Sequence, residues 1–157
     1  MREIKLTYPS QLFKLWKAGH VHRVWYHQYS GLFVEPDFVS VRNQYDRGYH
    51  FGEWFTAVHF WNKGYKVLIE KYVFRKHRKS FETATGLLGK DGMSFLAANI
   101  RTVAPPDLLV FDPALRLYFF AEVKRERDRI RPVQRDFFHE IEKRLCCQVL
   151  VVSLKAG

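Results

Sequence analysis

The stretch PPDLLVFDPALRLYFFAEVKRERDRIRPVQRDFFHEIEKRLCCQVLVVSL, residues 105–154, decides the fold. It holds two apolar runs, Leu108-Leu109-Val110-Phe111 and Leu117-Tyr118-Phe119-Phe120-Ala121, each bounded by proline or charge. Short runs of branched and aromatic residues with such boundaries read as buried strands. Paired antiparallel around residues 113–116, a hairpin loop of a common length, they set Phe111 against Tyr118 and Asp107 against Glu122. Directly opposed residues share a face, with Cβ atoms roughly 5 Å apart. Lys124 lies two residues beyond Glu122 and points the same way. Two carboxylates that close repel, and without a cation one of them takes up a proton. A hard divalent cation with a preference for oxygen ligands resolves the conflict. A lysine beside it can orient a water or steady charge growing on a phosphate. These are the parts expected of metal-dependent phosphodiester hydrolysis.

Behind the hairpin, Pro132 fits the first turn of a helix. Val133, Phe137 and Ile141 form one apolar line, broadened by Phe138 and Leu145. Gln134 borders that buried face near the helix start. It reads either as a contact to water or phosphate at the site or as a plain helix-start glutamine. Residues 148–154 are almost wholly apolar, as in a strand covered on both faces. A right-handed strand–helix–strand crossover makes that strand parallel to the one carrying Glu122.

Pro106-Asp107, followed on the neighbouring strand by Glu122-Val123-Lys124, resembles the PD-(D/E)XK nuclease superfamily. Asp128-Arg129-Ile130, then Gln134 and an apolar strand after the helix, are most similar to its VRR-NUC branch, the virus-type replication and repair nucleases. Arg125-Glu126-Arg127 stands where members often carry a Gly-rich turn. The close match covers residues 105–154, and a looser one reaches back to Glu53. The resemblance implies a restriction-endonuclease-like α/β core in the order αβββαβ, with a central mixed sheet flanked by helices. It implies Mg²⁺- or Mn²⁺-dependent cleavage of DNA, on structured or branched substrates such as junctions and flaps, in repair, recombination or mobile-element biology. In this reading Asp107, Glu122 and the backbone carbonyl of Val123 hold the metal. Lys124 positions or activates the attacking water, and Gln134 assists. The superfamily often takes a third carboxylate from its first helix, which here is Glu53, with Glu70 and Glu35 as the alternatives. Rival readings are a restriction-type nuclease on ordinary duplex and a non-catalytic nucleic-acid-binding protein that keeps the fold. Retention of Asp107, Glu122 and Lys124 weighs against the second. An RNA-binding protein stacking bases on its aromatics is a third rival. The aromatics fall mainly at core spacings, which weighs against it.

With 157 residues the chain has room for one domain with a real core. Hydrophobic residues at 47% and aromatics at 17% exclude a disordered chain. No apolar run approaches a membrane span, and the first residues do not begin a signal peptide, so a soluble, intracellular, cytoplasmic protein is expected. Cys146 and Cys147 are adjacent and the only cysteines, which excludes a disulfide framework or a zinc site built on them. The formal charge of +10, from 26 Lys plus Arg against 16 Asp plus Glu, favours a polyanionic partner, DNA ahead of a membrane. The basic residues cluster. Arg75, Lys76, Arg78 and Lys79 form one group, and Arg125, Arg127, Arg129 and Arg131 form another, both assigned to phosphate contacts.

Residues 1–44 read as an amino-terminal extension of a single nuclease domain, and 45–157 as its core, with an insertion at about 75–100. In the extension, a helix is expected over 11–18 with Ser10 as its cap. A strand is expected over 22–29, with residues 32–34 returning as a partner. Glu35-Pro36-Asp37 repeats the Pro-Asp pair, but nothing like Glu122-Val123-Lys124 follows it, so turn chemistry is the reading. His20, His22 and His27 fit no metal spacing and read as surface or nucleic-acid-contacting histidines. In the core, apolar residues at helical spacing predict a helix over 45–63. Glu53 shares a line of it with Ala57, Phe60 and Gly64. Residues 65–74 read as a strand, and 80–88 and 93–100 as helices broken at Gly89 to Gly92. The insertion suits a substrate-facing flap or the contact of a homodimer.

Overall fold

The computed structural model describes residues 1–157. The chain forms an α/β fold around one mixed sheet of five strands, ordered β1-β5-β4-β3-β2. These are β1 (Arg2–Tyr8), β2 (Lys66–Ile69), β3 (Leu108–Asp112), β4 (Leu117–Arg125) and β5 (Val149–Ala156). β3 and β4 are the expected antiparallel hairpin, with Phe111 paired to Tyr118. β5 runs parallel to β4, as the crossover requires. The helix between them, α6 (Pro132–Leu145), starts at Pro132 and buries Gln134, Phe137, Phe138 and Ile141.

β1 is not anticipated from the sequence. It pairs in parallel with β5 over its full length, so the segment read as an extension supplies the outer strand of the sheet. Ile4 and Leu6 pack on the core and Tyr8 is buried in it, while Glu3, Lys5 and Thr7 are exposed. That period of two is the mark of a half-covered edge strand. Three short helices follow: α1 (Ser10–Lys17), α2 (His22–Gln28) and α3 (Glu35–Arg42). α2 replaces the strand expected over 22–29. His22 is buried, and Val21, Trp25, Tyr26 and Tyr29 all pack on the core; neighbouring residues sharing one face, repeated four residues on, fit a helix and not an alternating strand. The expected partner over 32–34 reduces to one isolated bridge between Ser30 and Phe33. Glu35-Pro36-Asp37 starts α3, where Val34 N donates to Asp37 Oδ2 at 2.9 Å. His22 is buried, 1% exposed, and stacks on Tyr45, so it is a core residue and not a surface one.

The helix predicted over 45–63 divides. A single 3-10 turn (Tyr45–Arg47) precedes α4 (Phe51–Asn62). Gly48 and His50, both at positive φ, break the path between them. The strand predicted over 65–74 is shorter, because Glu70 and Lys71 also take positive φ and turn the chain out of the sheet after Ile69. α5 (Arg78–Ala98) occupies the insertion, kinked at Gly89 (φ 73°), so the two expected helices are one bent element.

α4 lies across one face of the sheet and joins the amino-terminal helices in a large aromatic core. Trp54 stacks on Phe33 at 3.7 Å, and Trp16 meets both Phe51 and Trp54 edge-on. The other face carries Leu109, Phe120 and Val149 under α5 and α6. Gly52 brings α4 close to the sheet. A Cβ there would lie 3.1 Å from Val123 Cγ1 and 3.3 Å from a Leu154 methyl. Overpacking of a filled core costs about 1–3 kcal/mol. Gly52→Val is therefore expected to lower unfolding stability by about that amount in a urea titration. A variant as stable as the parent would mean that α4 is free to lift off β4.

Candidate metal centre

The site forms where the sheet stops. The last ladder pair between β3 and β4 is Leu108 with Ala121, and between β2 and β3 it is Ile69 with Leu108. One residue further, side chains take over the hydrogen bonds. Asp107 N donates to Glu122 Oε2 at 3.2 Å, and Val123 N donates to Asp107 Oδ2 at 2.8 Å. The Asp107 carboxylate thus turns into the gap between the strands instead of standing beside Glu122 on one face. Glu70 N donates to Asp107 O at 2.7 Å, which continues the β2–β3 register past its last pair. Glu53 arrives from the first turn of α4. One carboxylate oxygen each from Glu53, Glu70 and Asp107 lies within 4.8 Å of the other two.

Glu122 sits beside this triad with its oxygens engaged. Oε1 is 2.9 Å from Lys124 Nζ and accepts from Gln134 Nε2 at 3.1 Å. The Gln134 carbonyl in turn accepts from Arg131 N at 3.0 Å, which fixes the amide at the start of α6. Asp107, Glu122, Lys124 and Gln134 are therefore brought together, with Glu53 joining through Asp107. Val123 lines the adjoining cleft of about 480 Å³, along with Glu53, Glu70, His50 and Arg125.

Burial first, then the charges of Glu122, Glu53 and Glu70, push the Asp107 carboxyl well above the usual carboxylate range. Glu53 is raised by burial and by Glu70. His50 partly offsets this crowding. Its Nδ1 is 3.4 Å from Glu70 Oε1 and its Nε2 is 2.6 Å from Gln44 Oε1. Burial opposes a charge on the ring, but the Glu70 contact and the Glu53 charge outweigh it and raise the histidine. The donor set is all carboxylate oxygen, crowded enough to favour protonation, which suits a hard divalent cation.

The predicted phosphate-binding residues are spread around this centre. Arg125 lies over the Phe13 ring at 4.1 Å and faces the cleft. Arg127 and Arg129 line a groove of about 810 Å³ that begins at Lys124, while Arg131 is exposed. Arg75, Lys76, Arg78 and Lys79 are exposed where the chain enters α5, with Arg78 bonded to Glu82 at 2.9 Å. They do not converge on the carboxylates. Glu70, the alternative to Glu53 in the sequence, stands with it in the structure, and His50 is a participant the sequence does not single out. Glu70 becomes visible once β2 is registered against β3, because it then falls opposite Asp107. His50 carries no sequence signal beyond its place one turn before Glu53.

Comparison with protein-family models, with curated proteins and with solved structures finds no match to this chain.

The raised carboxyls make a pH prediction. Asp107 and Glu53 bind protons more tightly folded than unfolded, so metal-free stability falls as pH rises above the ordinary carboxylate range. Asp37, which burial pushes up to about 7, adds to the same fall. In EDTA the melting temperature should decline from mildly acid to neutral pH. Asp107→Asn keeps an acceptor for Val123 N and should flatten the decline. At neutral pH, Mg²⁺ or Mn²⁺ at one hundred times Kd should restore about 2.7 kcal/mol to the parent and less to the variant. Equal pH slopes in both proteins, with no response to either ion, would count against a preformed site.

Proposed function

We propose that this chain is a Mg²⁺- or Mn²⁺-dependent DNA endonuclease with a restriction-endonuclease-like core. The observation that carries the reading is the convergence of Asp107, Glu53 and Glu70 at the sheet's end, with Lys124 bonded to Glu122 beside them. Asp107, Glu53 and Glu70 would hold the ion, with Glu122 and the Val123 carbonyl next to it. When bound, the ion supplies Lewis-acid polarisation of a phosphoryl oxygen and acidifies water. The protein does the rest by position. Lys124, held 2.9 Å from Glu122, presents an ammonium group that can orient the attacking water or stabilise charge on the phosphate. Gln134 fixes the rotamer of Glu122 and so sets where Lys124 lies.

The surroundings suit a polyanion. Lys124 is registered with Ser153 on β5, and Ser153 with Lys5 on β1, so one polar row crosses three strands. Arg127, Arg129, Arg135 and Lys155 line the same groove. No helix is long and apolar enough to cross a membrane. Branched or flapped DNA is the substrate class favoured by the likeness of residues 105–154 to VRR-NUC proteins.

A panel of duplex, single-stranded, flap and four-way DNA, incubated with Mg²⁺, Mn²⁺ or EDTA, tests the activity. Cleavage should require the ion, and Asp107→Ala, Glu122→Ala and Lys124→Ala should each slow it by at least about 100-fold. Glu53→Gln and Glu70→Gln should each slow it as well. Binding without cleavage under every ion would leave a DNA-binding protein and remove the catalytic reading.

Binding is separable from cutting. Each phosphate contact contributes roughly −0.9 to the slope of log affinity against log salt on duplex DNA. In EDTA, replacing Arg127 and Arg129 with alanine should flatten the slope by about 0.9 per lost contact and weaken all sequences alike. An unchanged slope would make these arginines a solvated loop, held by the bonds of Arg129 to the Glu126 and Asp128 carbonyls.

A further inference from the structure

An apolar pocket of about 280 Å³ opens beside the carboxylates. It shares Glu70 and Asp107 with them, and its other walls are Tyr72, Val73 and Phe74 on one side and Ile100 with 104–106 on the other. The backbone makes it. The positive φ of Glu70 and Lys71 swings residues 72–74 away from β2 and over the loop that leads into β3. The Tyr72 hydroxyl donates to Pro106 O at 2.7 Å, which pins the two walls together one residue before Asp107. Phe74 stands at the mouth, 40% exposed, with its ring edge-on to His77 at 6.4 Å. Lys71 is the one cation among the lining residues, beside the carboxylates Glu70 and Asp107, and the exposed Arg75 and Lys76 follow Phe74 in the chain, with Arg75 over the Phe81 ring at 5.4 Å.

We infer that this pocket receives one unpaired nucleobase of the DNA strand being cut, from a nucleotide next to the scissile phosphate. The inference rests on the nuclease reading for the identity of the strand. An aromatic wall and an apolar floor match a base, with the Lys71 ammonium at the edge for its phosphate. Stacking of bases on protein aromatics tolerates any sequence, because every base has a π-face. The pocket adjoins Asp107 and Glu70, so a base within it leaves its phosphate within one nucleotide of the carboxylates. A base held in a duplex stack cannot enter a closed-walled pocket without being unpaired, which costs least where DNA is already single-stranded. The substrate class is therefore DNA with an unpaired nucleotide at the cut, such as a flap, a gap or a frayed end, in preference to continuous duplex.

The test uses 2-aminopurine, a fluorescent base quenched by stacking, placed in turn along a flap and in a fully paired duplex. Binding is followed in EDTA for the full chain, so no cleavage is needed. The expected result is a quench at one flap position on binding. Phe74→Ala should lose that quench and bind flap DNA about tenfold more weakly, while its affinity for paired duplex stays the same. Phe74→Trp should retain both. Ala104→Trp fills the pocket from an exposed position and should reproduce the loss, which separates the effect from any misfolding of the Phe74 variant. Absence of a quench at every position, or equal losses for flap and duplex, overturns the inference. Cleavage of the same DNA with Mg²⁺ reads the nuclease proposal separately. A Phe74-dependent quench without cleavage keeps the pocket and removes the nuclease, whereas cleavage without the quench removes the pocket alone.

Discussion

Like-charge crowding at the end of the β3–β4 hairpin is the constraint on which the rest of this structure depends. Glu53, Glu70 and Asp107 meet within 4.8 Å, and Glu122 is bonded to the Asp107 backbone. Burying carboxylates together raises the free energy of the ionised forms. A lysine–glutamate pair such as Lys124 with Glu122, both largely buried, recovers little once desolvation is counted. An apolar cluster of the same volume would serve stability better. Groups held against their own electrostatics concentrate at functional sites, and here Glu53, Glu70 and Asp107 bring one class of ligand atom to one point.

The backbone bends to meet that constraint. His50, Glu70 and Lys71 all adopt the left-handed region without being glycine, a conformation that costs of order 1–3 kcal/mol each. Each departure has a visible consequence. His50 starts α4 so that Glu53 falls in its first turn and its own ring meets Glu70. Glu70 and Lys71 end β2 at the point where Glu70 can face Asp107, and they send Tyr72 to its bond with Pro106. The aromatic core opposite is what over-determines these turns. Phe51, Trp54, Trp16 and Tyr8 interlock around the start of α4, and Gly52 lets the helix reach Val123 and Leu154. The amino-terminal helices and β1 thus fix the position of Glu53 as firmly as the core does.

Local pattern made part of this legible. The β3–β4 register, the parallel β5, the helix from Pro132 and the grouping of Asp107, Glu122, Lys124 and Gln134 all follow from contacts short in sequence, where periodicity and a tight loop leave one solution. Glu70 is legible only as an alternative to Glu53, because the β2–β3 register spans the long α5 insertion and no turn fixes it. Residues 22–29 alternate loosely as in a strand, but the adjacent pairs Val21-His22 and Trp25-Tyr26 all turn inward, which only the packed chain reveals and alternation forbids. β1 was missed although Ile4, Leu6 and Tyr8 alternate cleanly, since an edge strand is specified by one neighbour, β5, at the other end of the chain. The turn at Glu70 and Lys71 has no sequence signal at all: neither residue favours positive φ, and only the packing of Tyr72 and Glu70 demands it.

The order of the sheet then gives the site a direction. The apolar pocket lies at the β2–β3 side, the carboxylates at the open ends of β3 and β4, and the basic groove over β4, β5 and β1. On the proposed reading, a nucleic acid lying in the groove would meet Lys5 and Lys124 in one polar row. Its electrostatic hold would be on that side, through phosphates and without regard to sequence. The opposite side offers an apolar wall, which phosphates avoid and an unstacked base does not. On the nuclease and base-pocket proposals, a strand crossing the site would change its mode of contact at the carboxylates, from backbone-held to base-held. A continuous duplex, whose bases stay paired, would then use only the first of the two.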